Sequence, residues 1–208
     1  MASGAILAGG AGTRMPGDKV FMEVSGRRVI DIQLEVLRPL CRHIQVIGNC
    51  ERMEKLGVYC SEGVEVVEES VRGMGPLGGI ASALELSREQ EVFVVACDMP
   101  FIRPGAVALV LDGLKGFDVS VPRTAAGIEP LHAAYRTGCL PVIMDQLQGG
   151  NLKVSGFFSR VKVNYIPFHE PFEHDPRGRL LVNINTPEDM RRAAGIPQQG
   201  GREQRRYT

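Results

Sequence analysis

Short apolar runs alternate with longer segments of helical period along the first hundred residues of this chain, and few folds accommodate that rhythm. Four runs rich in Val, Ile and Ala, at residues 5–8, 44–47, 64–67 and 92–96, have the length of buried strands. The segments between them place apolar residues three or four positions apart, as helices packed on a sheet do. The pattern predicts an α/β fold with a mostly parallel sheet and helices on both faces.

The second half of the chain is less regular, and it predicts an antiparallel element in the sheet. Helices are expected near 106–114 and 140–148, and strands near 119–121, 131–135 and 161–166. Thr186 as N-cap before Pro187 predicts a last helix that runs to about Ala194. Since no linker or repeat divides the 208 residues, we expect one domain over 1–196 and a flexible tail at 197–208.

Composition argues against several classes of protein. The chain has 24 basic and 24 acidic residues, so it lacks the positive surplus on which sequence-independent binding of nucleic acid depends. It shows neither a run of about 18 apolar residues nor a signal-peptide pattern, so we expect a cytoplasmic protein without membrane association.

The five cysteines are odd in number and have no CxxC spacing, which predicts neither disulfides nor a zinc site. We expect all five, including Cys97, to be small buried apolar residues.

A glycine-rich loop with two cations follows the first predicted strand. It begins with Leu7-Ala8-Gly9-Gly10-Ala11-Gly12 and carries Arg14 and Lys19. Glycines let backbone N–H groups approach phosphate oxygens, which Arg14 can bind as a fork and Lys19 as a point charge. The loop is not a Walker loop, because Asp18 interrupts the Gly-Lys step, nor a dinucleotide fingerprint, because Met15 replaces the third glycine. A solvated turn is the alternative, but the coincidence of glycines and cations at a strand end favours phosphate binding.

An aspartate emerges where the fourth apolar run ends. Asp98 directly follows Val92-Phe93-Val94-Val95-Ala96-Cys97. Mg²⁺ takes one or two carboxylates together with substrate phosphates, so one acid opposite a phosphate loop is chemically sufficient. An aspartate that only opens a turn is the alternative. Its place at the end of a strand favours Asp98 as a Mg²⁺ ligand.

Further polar loops follow the second and third strands. Asn49 comes after the second strand, Glu69 after the third, and the glycine segment Gly75-Pro76-Leu77-Gly78 a few residues later. Ligands of open α/β sheets bind outside the carboxyl ends of the strands, so these loops and the two described above predict one site. Asn49 and Glu69 can contact a purine base, although capping and turn formation explain them equally well at this level.

Together these segments resemble the molybdenum cofactor guanylyltransferases, the MobA-like branch of the Rossmann-like nucleotidyltransferases, along most of residues 4–194. The opening glycine loop, Gly75-Pro76-Leu77-Gly78-Gly79 and Cys97-Asp98-Met99-Pro100-Phe101 resemble motifs that nucleotidyltransferases share. The segments 129–135 and 183–189 resemble the acceptor-side motifs of the molybdenum cofactor branch. Two positions depart from the family pattern: Pro16 lies after the Arg-Met step, and Glu69 replaces an aspartate with a longer acid.

The resemblance implies a single-domain, Rossmann-like, three-layer enzyme that transfers GMP from Mg²⁺-bound GTP to the terminal phosphate of molybdopterin and releases pyrophosphate. It implies a nucleotide half at about 1–100 and an acceptor half at about 101–196. The implied catalytic residues are Arg14, Lys19 and Asp98, with Mg²⁺ on Asp98. The implied GTP contacts are Leu7, Ala8, Gly9, Gly10, Gly12, Lys19, Asn49, Glu69, Gly75, Pro76, Leu77, Gly78 and Asp98, and the implied molybdopterin contacts are Asn183 and Asn185.

Three other functions remain open on the sequence. A molybdopterin cytidylyltransferase, or a guanylyltransferase of a different phosphorylated acceptor, would share the nucleotide motifs. A noncatalytic nucleotide sensor could use the same fold, because fold alone does not establish turnover. Comparing the turnover of GTP with that of CTP separates a cytidylyltransferase from the favoured guanylyltransferase. Pyrophosphate release separates a catalyst from a sensor. Transient contact with proteins that deliver or accept the cofactor is also expected.

Overall fold

The computed structural model describes residues 1–9, 21–168, 179–186 and 188–189. Predictions for Gly10, Gly12, Arg14 and Lys19, for the tail at 197–208 and for the end of the last helix therefore lie outside the described residues. The strands are β1 (Ala2–Leu7), β2 (Glu23–Val24), β3 (Arg27–Arg28), β4 (Cys41–Gly48), β5 (Val64–Glu68), β6 (Glu91–Ala96), β7 (Val119–Thr124), β8 (Gly127–Ile128), β9 (His132–Arg136) and β10 (Val163–Pro167).

The helices alternate with the strands, as the sequence pattern predicts. They are α1 (Val29–Leu37), α2 (Met53–Leu56), α3 (Gly75–Glu85), α4 (Pro104–Asp112) and α5 (Leu140–Gln148). Short 3₁₀ segments lie at Cys50–Arg52, Gly57–Tyr59, Thr137–Cys139 and Val154–Arg160. Across the described ranges, no helix combines the length and the apolar character that crossing a membrane requires.

The central sheet has the strand order β5, β4, β1, β6, β9, β7, β10, and β8 pairs with β7 beside this path. β1 pairs in parallel with both β4 and β6, and β4 pairs in parallel with β5. The carboxyl ends of these four strands therefore meet at one edge. β9 runs antiparallel to its neighbours β6 and β7, whereas β10 is parallel to β7. The predicted mostly parallel sheet with an antiparallel element in the second half is confirmed.

Helices cover both faces of the sheet, because successive side chains of a strand point to opposite sides. On β6, Phe93 and Val95 pack in one apolar cluster with residues of α1 and α4. Val92 and Val94 pack in a second cluster with residues of α3 and α5. These two cores produce the three-layer architecture that the continuous apolar runs predict.

The start of α3 places the second glycine motif at the carboxyl edge of the sheet. Gly75 has φ +61°, a conformation that favours glycine, and Pro76 follows within the first turn, where its missing N–H breaks no helical hydrogen bond. Further along the helix, Ile80 and Leu84 are buried against the sheet. The apolar face of α3 thus anchors the helix while its first turn faces the ligand edge.

The structure corrects the prediction that all five cysteines are buried. Cys41, Cys97 and Cys139 are buried, but Cys50 and Cys60 are exposed. Cys50 begins the 3₁₀ turn after β4, and Cys60 lies in the connection that leads to β5. Both residues lie in connections between strands rather than within the buried strands themselves.

His132 on β9 is fully buried, and its ring meets Phe93 edge-on with centroids 5.0 Å apart. Within the described ranges neither of its ring nitrogens has a hydrogen-bond partner. Burial lowers the pKa of His132 from 6.5 to about 3. In the unfolded chain His132 is therefore protonated as the pH falls below 6.5, whereas in the folded protein it stays neutral until about pH 3. This difference makes the folded state lose stability as the pH falls through that window.

We expect His132→Leu to make the protein less sensitive to acid. One proton bound only by the unfolded state changes the free energy of unfolding by about 1.4 kcal/mol per pH unit. Wild type should therefore lose about 2 kcal/mol more than the variant between about pH 7 and about pH 5. Urea unfolding at the two pH values measures this difference. Equal losses in the two proteins would rule out a buried neutral His132 as the cause of acid sensitivity.

Candidate active site

A cavity of about 640 Å³ opens at the edge where β1, β4, β5 and β6 end. Its volume is in the range of pockets that bind cofactors and other small molecules. Seven of the site residues predicted from sequence line it: Leu7, Gly9, Asn49, Glu69, Gly75, Pro76 and Asp98. These residues come from four loops far apart in the sequence, and the parallel strands bring them together.

Three other predicted GTP contacts lie behind the wall of the cavity. Ala8 is buried, and its N–H donates to the Ile47 carbonyl at 2.7 Å. Leu77 is fully buried in the apolar core, and Gly78 lies on the first turn of α3. None of the three lines the cavity. Direct contact of these positions with a nucleotide stays a prediction.

The Glu69 carboxylate lies between the end of β1 and the start of α3. A Cβ atom placed on Gly9 would be 3.4 Å from Oε2 of Glu69, and one placed on Gly78 would be 3.3 Å from Oε1. Partial burial raises the pKa of Glu69 above its ordinary value. A carboxylate that has lost part of its hydration gains from a ligand that donates hydrogen bonds to it. Glu69 is thus an acceptor directed at the cavity.

Asn49 presents a second acceptor. Its Oδ1 atom is buried and has no hydrogen-bond partner among the residues that the structure describes. Asn49 precedes the 3₁₀ turn at Cys50–Arg52, but its side chain makes no capping hydrogen bond. The capping explanation that the sequence left open is therefore not supported for this residue.

Asp98 lies in the turn that follows β6. The backbone on either side is fixed, because Cys97 N–H donates to the Leu7 carbonyl at 3.2 Å and Met99 N–H to the Ala96 carbonyl at 3.3 Å. The Asp98 carbonyl accepts the N–H of Ile184 at 2.9 Å. The turn therefore joins the end of β1 to residues 179–186, which we call segment 179–186.

Glu129 and Asn183 meet next to Asp98. Oε1 of Glu129 accepts the Leu131 N–H at 3.1 Å, and Nδ2 of Asn183 donates to Oε2 at 3.5 Å. Burial raises the pKa of Glu129, these two hydrogen bonds lower it, and the Asp98 carboxylate raises it. Oδ1 of Asn183 is buried and unpartnered within the described part of the chain. An acid and an amide of the second half thus lie beside the predicted metal ligand.

Burial of Leu180 and Ile184 and a helix cap at its end hold segment 179–186 in place. Ile184 is fully buried against Met22, Val24 and Val29. The Asp189 carboxylate accepts the N–H groups of Asn185 and Thr186 at 3.0 and 2.9 Å, and Asp189 N–H donates to Oγ1 of Thr186 at 3.1 Å. This reciprocal pattern is a capping box, which confirms Thr186 as the N-cap.

The carboxylate at this edge suits a Mg²⁺ ion that is carried by a nucleotide. Asp98 supplies one carboxylate to the cavity. In the described ranges no three His, Cys, Asp or Glu residues are grouped closely enough to enclose a metal ion. Mg²⁺ suits such a site because it takes few protein carboxylates and completes its shell with phosphate oxygens and water.

Two arginines that the sequence analysis did not single out also line the cavity. Nη1 of Arg52 donates to the Ala8 carbonyl at 2.5 Å, so it clamps the start of the glycine loop. Arg72 pairs with Glu68 at 2.6 Å and leaves 67% of its side chain exposed. In the sequence, each of these arginines is a cation a few residues beyond a predicted strand. This pattern is too common to identify a site by itself.

Comparisons with known proteins agree with the motifs. Residues 4–160 match the family model described as MobA-like NTP transferase domain. A protein of Pelotomaculum thermopropionicum named "Probable molybdenum cofactor guanylyltransferase" is 34% identical over 192 residues, which cover 92% of this chain and 91% of that protein. A protein of the same name from Thermococcus gammatolerans is 34% identical over 195 residues, which cover 90% of this chain and 96% of that protein.

A solved structure extends the agreement to the fold. The crystal structure of molybdopterin-guanine dinucleotide biosynthesis protein A from Archaeoglobus fulgidus has a TM-score of 0.81 and 27% sequence identity, and the match covers 93% of this chain and 97% of that one. The architecture and the motifs thus lead to the same family that the sequence resembles, and the chain belongs to the MobA-like NTP transferase domain family.

Proposed function

We propose that this protein is a molybdenum cofactor guanylyltransferase, which transfers GMP from GTP to the terminal phosphate of molybdopterin and releases pyrophosphate. The observation that carries the proposal is the convergence of Asn49, Glu69 and Asp98 on one cavity at the carboxyl edge of the parallel strands. The names of the relatives that match about nine tenths of the chain support guanine as the base and molybdopterin as the acceptor.

The hydrogen-bond acceptors in the cavity, Glu69 and Asn49, suit guanine. Guanine donates from N1–H and from its N2 amino group, and one carboxylate can accept both hydrogen bonds, whereas adenine lacks this pair of donors. The Glu69 carboxylate, with its pKa raised by partial burial, is the group we assign to this contact. Oδ1 of Asn49, which has no hydrogen-bond partner among the described residues, supports a further contact with the nucleoside. Removing a hydrogen-bond partner leaves the other group unpaired, which is the physical basis of base selection.

The proposed reaction needs alignment and charge neutralisation rather than a general base. The terminal phosphate of molybdopterin is already an anionic nucleophile, and it must approach the α-phosphorus of GTP opposite the departing pyrophosphate. We assign Asp98 to Mg²⁺, which when bound would neutralise charge on the phosphate oxygens. We assign Arg14 and Lys19, on the strength of the loop motif, to the triphosphate and the charge that develops on it.

The acceptor is assigned to the second half of the chain. Asn183 and Glu129 lie beside Asp98, and Ile184 hydrogen-bonds to its backbone, so a ligand held here would lie close to the metal ligand. A pterin ring presents donors and acceptors in one plane, which amides and carboxylates can meet in pairs. We therefore propose Asn183 and Asn185 as molybdopterin contacts.

Incubation with Mg²⁺, GTP and molybdopterin, followed by mass analysis of the product, tests the function. We expect the guanine dinucleotide of molybdopterin together with one pyrophosphate per transfer. CTP and ATP in place of GTP test the base, and omission of molybdopterin tests the acceptor. A product formed equally well from CTP, or pyrophosphate released without molybdopterin, would contradict the proposal.

We expect Glu69→Gln to weaken GTP binding roughly tenfold, because a neutral amide accepts the paired guanine donors less well, a loss of about 1–3 kcal/mol.

The raised pKa of Glu69 also predicts that wild-type affinity falls as the pH drops through a value above the ordinary 4.5, since only the ionised form accepts both hydrogen bonds. Titrations of GTP at a series of decreasing pH values should show a larger fall in affinity in wild type than in the variant, because protonation of the GTP γ-phosphate affects both proteins alike.

Glu65→Gln is the control for this experiment. Glu65 lies on the same strand, β5, and pairs with Arg88 at the surface. Its substitution should leave both the GTP affinity and its pH dependence unchanged. An unaltered preference for GTP over ATP in Glu69→Gln would remove Glu69 from base recognition.

We expect Asn185→Ala to raise the KM for molybdopterin while the dissociation constant of GTP stays close to that of wild type. The substitution keeps the backbone N–H that donates to Asp189, so the helix cap is retained. Val182→Ala, at an exposed position of segment 179–186, is the control. If the Asn185 variant weakens GTP binding alone, or changes neither substrate, the assignment of Asn185 to the acceptor is wrong.

A further inference from the structure

Gln33 is a buried polar residue on the apolar face of α1. Its side chain is 0% exposed, and Ile30, Leu34 and Leu37 of the same helix pack in the core around it. Burying an amide is unfavourable unless its polar atoms find partners. The environment alone would therefore favour an aliphatic residue at this position, and the amide needs a specific explanation.

The amide group of Gln33 holds both ends of the turn that carries Asp98. Nε2 donates to the Ala96 carbonyl at 2.7 Å and to the Met99 carbonyl at 3.0 Å. These two carbonyls flank Cys97 and Asp98. An amide nitrogen has two hydrogens, so both are used within this turn. One buried donor thus links the carbonyls on both sides of Cys97 and Asp98.

Among the hydrogen bonds between described residues, those of Gln33 join both sides of the turn from outside it. Its internal hydrogen bond, from Met99 N–H to the Ala96 carbonyl, is long at 3.3 Å. The hydrogen bonds from Cys97 to Leu7 and from Ile184 to Asp98 attach the turn to its neighbours but do not close it. Gln33 connects α1 directly to both sides of Asp98.

We propose that Gln33 is a positioning residue, which fixes the turn so that the Asp98 carboxylate meets a divalent cation carried by a nucleoside triphosphate. This inference rests on the proposed metal role of Asp98. Residues that orient a metal ligand commonly change metal affinity or activity 10- to 100-fold when they are replaced. Because Gln33 acts through the backbone of the turn, we expect the lower end of that range, about tenfold.

Gln146 provides a matched control in the same molecule. It lies on α5, is 9% exposed, and its Nε2 also donates to two loop carbonyls, those of Asn151 at 3.0 Å and Lys153 at 2.8 Å. None of these three residues lines the cavity. Gln146→Met therefore removes the same kind of double hydrogen bond without touching the site.

The test measures how strongly a metal ion enhances GTP binding in wild type, Gln33→Met, Gln146→Met and Asp98→Asn. The enhancement is the GTP dissociation constant in EDTA divided by that in saturating Mn²⁺, both from calorimetry. We expect Gln33→Met to reduce the enhancement about tenfold and to leave the constant in EDTA unchanged. Gln146→Met should retain the full enhancement, and Asp98→Asn should lose it. Thermal unfolding checks that each variant is folded.

The outcomes separate the two proposals. If Mn²⁺ enhances GTP binding fully in folded Gln33→Met but not in Asp98→Asn, the positioning role of Gln33 is overturned while the metal role of Asp98 stands. No enhancement in wild type, or full enhancement in Asp98→Asn, would overturn the metal role and the inference with it. If Gln33→Met does not fold, Gln33→Asn keeps the donor but is one methylene shorter, and a reduced enhancement in that variant supports the proposal while a full one overturns it.

Discussion

Asp98→Asn should lower the rate of GMP transfer by roughly a thousandfold, which corresponds to about 4 kcal/mol of lost transition-state stabilisation. An amide has the shape of the carboxylate but not the charge that holds a divalent cation among phosphate oxygens. The fold should be preserved, because the backbone carbonyl of Asp98, which accepts the Ile184 N–H, is unchanged. Steady-state transfer assays at saturating Mg²⁺ measure the effect, with circular dichroism as the check on folding.

Asp112→Asn is the matched control for this substitution. Asp112 ends α4 and pairs with Lys115 on the exposed surface, outside the cavity. Its rate should stay within about twofold of wild type, since an exposed ion pair contributes roughly 1 kcal/mol or less to stability and nothing to the site. A folded Asp98→Asn variant that turns over at the wild-type rate would exclude Asp98 as the metal ligand.

Gly78→Ala should disrupt the cavity wall and weaken GTP binding at least tenfold. A Cβ atom at this position would lie 2.5 Å from the Val71 carbonyl oxygen, 2.9 Å from Cβ of Met74 and 3.3 Å from Oε1 of Glu69. The first of these neighbours is backbone, so the loop between β5 and α3 must move, and with it Glu69. Overpacking of this kind costs roughly 1–3 kcal/mol in stability. Calorimetric titration with GTP and urea unfolding measure the two effects.

Gly57→Ala shows what the same added methyl group does without a collision. Apart from the adjoining backbone, no heavy atom of the described residues lies within 4 Å of a Cβ at Gly57, whose backbone has a helical φ of −52°. This variant should bind GTP like wild type and gain up to about 1 kcal/mol in stability, because alanine restricts the unfolded chain. Wild-type GTP affinity in Gly78→Ala would show that close packing at Gly78 does not position the Glu69 carboxylate proposed to bind the base.

Local patterns determined the fold class because they depend on neighbouring residues only. Continuous Val- and Ile-rich runs cannot leave either face of a strand in water, so they predict a parallel sheet between two helical layers, and the structure has that sheet. The same logic located the antiparallel element in the second half. It failed for Cys50 and Cys60, because exposure at a strand end depends on what the rest of the chain places above it.

The sequence by itself also determined which loops form the candidate site: Asn49, Glu69 and Asp98 follow parallel strands, and parallel strands end at one edge whatever their order. Only the tertiary structure decided which groups support them. Gln33 reaches a turn 63 to 66 residues away, and Asn183 reaches Glu129 across 54 residues. Such contacts have no sequence period, because the packing of α1 and of segment 179–186 against the sheet creates them. Strand ends can therefore be predicted from local chemistry, whereas the buried amides that hold them in place become visible only when the layers are assembled.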